Sequence, residues 1–237
     1  MQYENFLAFS NKNYRARTPF YKKFFAIVFT LIFIFSVAII VFYSIFFKIP
    51  VVGPSMKPTF NILAPDNEVD EDSIYKDVAV VNRFNRGTNG DIVIVAKDEL
   101  DSSGQQKYII KRLIAKEGQT LTLRKNSTAS QYYSFFLDGQ KIDESYIANP
   151  ADMDGDYFLV FVQRNSAQIS YSQDENLVQA SITIPQGKIF VLGDNRGHST
   201  DSVIDGCYDE SAIVGTVAFS YKYNENIFIG IWRAIFG

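Results

Sequence analysis

The sequence predicts a mainly antiparallel β domain preceded by one N-terminal membrane-spanning helix. Three observations predict it. The stretch from Phe24 to Phe47 contains no charged residue. Beyond Pro50, short Val- and Ile-rich runs are bounded by Asn, Gly and Asp, the pattern of strands joined by turns. After the apolar stretch, no segment reads as a helical apolar period sustained over three turns.

The 237 residues suit one domain of moderate size plus an anchor. Residues 1–23 form a basic arm. There Lys12, Arg15, Arg17, Lys22 and Lys23 outweigh Glu4 to give +4, so with −3 overall the remainder carries −7. A basic arm, an apolar span and an acidic body make the asymmetry of the positive-inside rule. It predicts a single pass with the N-terminus cytoplasmic and everything after Lys48 outside. The body lacks the basic block of a nucleic-acid binder. Cys207 is the only cysteine, which excludes an intrachain disulfide and a cysteine-based metal site.

Residues 24–47 would reach roughly 35 Å as a helix, slightly more than the ~30 Å hydrocarbon core. Thr30, Ser36 and Ser44 are its polar members, and their hydroxyls can bond back to the helix's own carbonyls. A cleaved secretory signal would have a shorter apolar region and small residues after it. This run ends instead in Phe46-Phe47-Lys48-Ile49-Pro50, so an uncleaved anchor is expected.

Strands are expected at 78–81, 91–96, 119–124, 187–192 and 213–219. Asp138-Gly139 between apolar flanks signals a hairpin turn. Residues 48–125 and 185–237 are read as the β core, and 126–184 as a smaller inserted β subdomain, with a loop as the alternative. The apolar tail 227–236 is too short to span a bilayer. It would close the core as a last strand or rest on the membrane interface through Trp232.

Two residues carry the candidate chemistry. Ser55 lies in Gly53-Pro54-Ser55-Met56-Lys57-Pro58-Thr59, directly after the anchor. Lys111 sits between Tyr108-Ile109-Ile110 and Leu113-Ile114, whereas Lys107 adjoins Gln105-Gln106 and reads as solvated. A serine hydroxyl needs a base to become a nucleophile, and a lysine serves only when desolvation lowers its pKa from about 10.4. Taken alone, Lys111 also fits a lysine whose stem crosses an apolar edge while its amine reaches water. Taken alone, Ser55 is a turn residue.

The surrounding segments change that reading, because five of them in order resemble the type I signal peptidases. Residues 51–60 resemble the family's serine box. Gly90-Asp91-Ile92-Val93-Ile94-Val95 is similar to its following strand, and residues 108–118 to its lysine box. Residues 137–147 resemble its hairpin, and 184–202, with Gly193-Asp194-Asn195-Arg196 and Ser199-Thr200-Asp201-Ser202, its last box.

The resemblance implies a membrane-bound serine endopeptidase of the cell membrane, with Ser55 as nucleophile and Lys111 as base. It implies exported preproteins as substrates, cut after a small-x-small motif, proximity to the secretion translocon, and no metal or cofactor. Ser199 would orient the Lys111 amine, and Arg112, Asp194, Asn195, Arg196 and Asp201 would support the site. Ile49, Val51, Met56, Phe60 and Ile110 would line the substrate pockets. The Ser55 N–H would help form the oxyanion hole. Gly53 stands where some members carry a serine donor. Ala115, Gln119 and Val203 depart from the usual glycine, acidic residue and arginine.

Rival readings are weaker. His198 lies in a polar loop, Ser73-Ile74-Tyr75-Lys76 has no later Lys-Thr-Gly, and Cys207 lacks a strand-borne thiol setting. Asn126-Ser127-Thr128 is a glycosylation sequon, meaningful only in a glycosylating host. A membrane-tethered assembly or folding factor with the same fold but no reaction is the alternative function.

Overall fold

The structure is a computed structural model that describes residues 19–62, 76–100, 104–171, 177–222 and 225–236. Most of the basic arm, and Ser73 of the Ser-x-x-Lys pattern, lie outside the described residues.

Helix α1 (Phe20–Ile45) forms the apolar span and is a unit by itself. It begins earlier than expected and stops before Phe46 and Phe47, which belong to a strand. Thr30, Ser36 and Ser44 donate their hydroxyls to the carbonyls four residues back, at 2.7–2.8 Å, so these three hydroxyls need no partner from the surroundings. By length and composition this helix can cross a membrane.

The second unit is built on two antiparallel sheets. The first contains β1 (Phe46–Pro50), β2 (Val78–Asn82), β3 (Ile92–Leu100), β4 (Gln106–Lys116), β10 (Lys188–Leu192), β11 (Tyr208–Asp209) and β12 (Ile213–Tyr221), in the order β1-β2-β12-β3-β4-β10-β11. Every pairing is antiparallel. Val- and Ile-rich β2, β3 and β10 occupy inner positions, which is why Val80, Val81, Val93 and Val191 are fully buried.

Strand β10 pairs only with residues 112–116 of β4, while β3 runs along the strand as far down as Gln106. Residues 106–111 of β4 are therefore paired on one side only. This half-open strand positions the site.

The second sheet is β7-β6-β5-β9-β8, from β5 (Thr120–Lys125), β6 (Tyr133–Leu137), β7 (Gln140–Lys141), β8 (Gln168–Tyr171) and β9 (Val178–Thr183). The Asp138-Gly139 hairpin forms as expected, with φ of 47° and 83°, the paired positive values of a type I′ turn. This layer begins at β5 rather than at residue 126, and it is not purely β. Helix α2 (Gly155–Asn165) crosses it, capped by Asp154, whose carboxylate accepts from the N–H groups of Asp156 and Tyr157. Its run Phe158-Leu159-Val160-Phe161-Val162 is strand-like in composition, which hides a helical face formed by Phe158 and Phe161.

After the short α3 (Ser202–Asp205), the tail forms α4 (Ile227–Phe236) rather than a last strand. A strand continuing β12 would need a free edge beside it, and β12 already lies between β2 and β3. Helix α4 packs through Gly230 near Tyr221 and leaves Phe228, Trp232, Ile235 and Phe236 exposed.

Phe161 joins the two layers. Its ring meets Phe135 of the second sheet at 5.7 Å and Phe190 of the first at 6.1 Å, both edge-on. Phe161→Ala should therefore cost about 3–5 kcal/mol, read as a lowered denaturation midpoint in detergent solution. A loss below about 1 kcal/mol would show that the two layers do not share one core.

Candidate active site

Residues 51–61 form a tight turn over the core, and three clamps hold it. Asn61, in the left-handed region at φ 56°, donates its amide to the Val51 carbonyl at 2.9 Å and the Gly53 carbonyl at 3.3 Å. Asn61 is itself pinned by exchanging bonds of 2.7 and 2.8 Å with Asp77. Asn195 donates its side-chain amide to the Pro54 carbonyl at 3.2 Å and its N–H to the Ser55 carbonyl at 3.0 Å. The Thr59 hydroxyl donates to Asp194.

Lys111 comes to this turn from the half-open stretch of β4, one residue before β10 begins to pair. Its amine donates to Ser55 Oγ at 2.8 Å and to the Ile110 carbonyl at 3.1 Å. Lys111 is 4% exposed. Burial penalises the ammonium and lowers its pKa to about 8, against an opposing pull from the Asp201 carboxylate. The bare reading of Lys111 as a lysine reaching water is thereby excluded.

The loop 193–196 leaves β10 and crosses the turn. Gly193 passes so close that a Cβ there would lie 2.5 Å from the Ser55 carbonyl oxygen and against the Ser199 hydroxyl, so only glycine fits. Asp194 is fully buried and takes Arg112 through Nε at 2.8 Å and Nη2 at 2.6 Å. The Arg112 guanidinium lies 3.8 Å from the centre of the Tyr146 ring. Arg196 donates to the Gly193 carbonyl at 3.1 Å and pairs with Glu144 of the second layer. The Ala148 N–H donates to the Asp194 carbonyl at 3.1 Å. Asp201 receives the N–H groups of Gly193 at 2.8 Å and Val203 at 3.1 Å.

Ser55 and Lys111 stand at one end of a cleft of about 740 Å³, walled by Ile49, Val51 and Val52 on one side and residues 105–110 on the other. Ile49, Val51 and Ile110 line it as expected, and Ile94 joins them. Met56 and Phe60 do not. They are 1% and 2% exposed, beneath the turn, packed with Val51, Ala79, Val81 and Ile94. Although they adjoin Ser55 in sequence, both face the core side of the turn.

The expected bond from Ser199 to the Lys111 amine is also absent. The Ser199 hydroxyl is buried, lies near enough to Asp201 to favour its charged form, and completes no hydrogen bond. His198 is exposed, and no bond joins it to Ser55 among the described residues. Cys207 is half-buried with its pKa raised by burial, so it is not an activated thiol. Gln119 accepts from the Lys116 N–H and the Asn89 amide at 2.8 Å each, without the negative charge of an acidic residue. Asn61, Asp77, Thr59 and Gly193 were not foreseen. Only Asn61 had a local signal, since asparagine tolerates positive φ.

With this geometry in view, the comparisons with known proteins decide the family. The profile described as "Signal peptidase, peptidase S26" matches residues 23–222. The chain belongs to this peptidase family. It is 28% identical over 175 residues to a Signal peptidase I of Bacillus licheniformis, covering 73% of this chain and 75% of that protein. It is 29% identical over 187 residues to one from Bacillus amyloliquefaciens, covering 78% and 79%. A Staphylococcus aureus Signal peptidase IB is 36% identical over 124 residues, covering 49% of this chain and 58% of that protein. A solved Enterococcus faecalis signal peptidase I overlaps at a TM-score of 0.33 with 26% identity, over 55% of this chain and 96% of that one.

The close passage of Gly193 in this peptidase-family chain gives a direct test. Gly193→Ala must push the Ser55 carbonyl aside, and a displacement near 1 Å at such a centre lowers turnover about a hundredfold. Peptide-cleavage rates compared at equal folded fraction would check it. Unchanged rates would mean that the loop yields without moving Ser55.

Proposed function

We propose that this chain is a membrane-bound signal peptidase that cleaves N-terminal signal peptides from exported preproteins after a small-x-small motif such as Ala-x-Ala. Ser55 is the nucleophile and Lys111 the general base. The observation that carries the reading is the 2.8 Å contact between a buried amine of lowered pKa and a serine hydroxyl at the end of a cleft.

An ammonium donates to Ser55 Oγ; a neutral amine accepts from it. With a pKa near 8, about a tenth of the molecules at pH 7 hold the neutral form. In those, Oγ attacks the scissile carbonyl carbon and its proton passes to Lys111 Nζ. The tetrahedral intermediate collapses, the C–N bond breaks, and Lys111 returns the proton to the leaving amine. Water then attacks the acyl ester, giving its proton to Lys111; the acyl C–O bond breaks and Lys111 returns that proton to Ser55 Oγ. Backbone N–H groups of the turn, that of Ser55 foremost, face the developing oxyanion. The clamps from Asn61, Asn195 and Asp194 hold these groups at no further cost in reorganisation.

The specificity follows from strand geometry. An extended peptide laid along residues 106–111 of β4 would pair with the unpaired side of that strand. Its alternate side chains then point to the same face, so the first and third residues before the cut meet the wall formed by Ile49, Val51, Ile94 and Ile110, and the second does not. Branched apolar side chains on that wall leave room for alanine and overlap with anything larger.

The anchor and its basic arm favour attachment to the cytoplasmic membrane with the β domain outside, where exported chains emerge beside the translocon. Helix α4, with Trp232 exposed, favours the interfacial reading of the tail.

Detergent-solubilised protein should cut a preprotein after the last alanine of an Ala-x-Ala site, with the new N-terminus read by mass spectrometry. Ser55→Ala and Lys111→Met should each reduce the rate by about a thousandfold or more. The kcat/KM should rise with pH through a midpoint near 8, because only the deprotonated amine is a base. Cleavage surviving in Lys111→Met would remove lysine as the base. Failure of the wild type on several preproteins would favour the non-catalytic tethered factor.

A further inference from the structure

The carboxylates around the site differ in how their charge is met. Asp194 has Arg112 at 2.6 Å, Glu144 has Arg196, and Asp77 has Lys222 at 2.8 Å. Asp201 is 2% exposed and, among the described residues, forms no ion pair. Its two partners of good geometry are the neutral N–H groups of Gly193 and Val203. Val203, whose N–H it accepts, is 1% exposed and packs into the apolar core. A buried carboxylate met by two neutral donors is incompletely compensated, and burial raises its pKa against the pull of those donors and of Lys111.

The same imbalance is visible from the lysine. The charged groups that act on Lys111 are Asp201, Lys97 of β3, Asp194 of the crossing loop and Asp205 of α3. Lys97 and Asp205 pair with each other at 3.0 Å, and Asp194 pairs with Arg112. Each pair presents little net charge, so Asp201 is the uncompensated one. The cation that acts on Asp201 is in turn Lys111. Gly193 links the two: its N–H donates to Asp201, and a Cβ on it would meet the carbonyl of Ser55, whose hydroxyl contacts the Lys111 amine.

We propose that Asp201 is the counter-charge of Lys111, acting through the lysine rather than on substrate, and that it sets the pH at which the amine becomes a base. The catalytic consequence rests on the Ser55–Lys111 reading; the coupling itself does not. A carboxylate here stabilises the ammonium and pulls against burial. Removing its charge leaves burial unopposed, and the amine loses its proton at lower pH. When Lys111 is neutral, burial draws Asp201 further toward its protonated form, and the unpartnered Ser199 hydroxyl lies beside it.

The test separates the coupling from the reaction. In full-length Ser55→Ala protein carrying 13C-labelled lysine, the Lys111 signal, assigned by its loss in Lys111→Met, is titrated with and without Asp201→Asn. The midpoint should fall by about one pH unit, the effect of a unit charge in a partly screened interior. With Ser55 restored, the acid limb of kcat/KM for preprotein cleavage should move by the same amount.

An unmoved midpoint in folded Asp201→Asn overturns the proposal, whatever happens to the rate, because a merely structural carboxylate lowers activity without shifting the titration. A moved midpoint with no cleavage by any variant would keep the coupling and reject the peptidase reading. Where Asp201→Asn gives no cooperative melt, Asp201→Ser removes the same charge with a smaller side chain. It should also lower the midpoint, and an unmoved value there overturns the proposal equally.

Discussion

An amine kept out of water is the constraint on which the rest of the structure turns. Bringing the Lys111 pKa from 10.5 to about 8 corresponds to roughly 3 kcal/mol against its charged form. That penalty exists only because the surroundings are complete. Val93 stands across the ladder, Leu113 and Val191 fill the layer beside it, and the Ser55 turn covers the end. Lys107, four residues earlier on the same strand, lies in an exposed pair with Glu99. The two lysines differ in what the neighbouring strands cover, not in their own chemistry.

The point where β10 stops explains how a packed sheet can also hold a site. Were β10 to continue past Leu192, it would pair with residues 106–111 of β4 and fill the cleft. Instead the chain leaves the ladder at Gly193 and crosses the Ser55 turn. That loop is held from the second layer by Glu144 on Arg196, by Tyr146 against Arg112, and by the Ala148 N–H on the Asp194 carbonyl. None of these groups lines the cleft. The second sheet thus serves the site at one remove, by fixing the loop that fixes the turn. A buried pair such as Arg196–Glu144 is costly to break, since removing one partner strands the other charge.

How much of this was legible depended on whether a feature is local in the chain. Asp138-Gly139 declared its hairpin because the turn chemistry sits in two residues. The apolar flanks of Lys111 declared a buried strand, and the Ser55 segment a turn. Met56 and Phe60 were misassigned because sequence shows that a residue is apolar, not which side of a turn it faces. Helix α2 was missed because an aromatic and β-branched run carries strand composition, and its Asp154 cap is only one residue. Gly193 is legible in the sequence as part of the last resembling box, but the reason it must be glycine is not. Its requirement comes from the Ser55 carbonyl, some 140 positions away in sequence, and only tertiary contact reveals it.

Gly53 shows how the turn limits the chemistry available to it. Its φ of +82° lies in the left-handed region, and a Cβ there would meet nothing within 4 Å. Space is thus not what keeps a side chain out; backbone conformation is, at a cost of about 1–2 kcal/mol for an L-residue. The Gly53 carbonyl, meanwhile, is held by the Asn61 amide, so the peptide cannot readily turn to a more favourable φ without releasing that clamp. A serine hydroxyl at this position would add an oxyanion donor worth about 3 kcal/mol, but only from a turn rebuilt around it. The proposed reaction would therefore draw its oxyanion stabilisation from backbone N–H groups, whose aim depends on the clamps from Asn61 and Asn195 rather than on any rotamer. In that mechanism the nucleophile and its oxyanion donors form one rigid body. The same close passage of Gly193 that holds Ser55 against the lysine holds the donors as well.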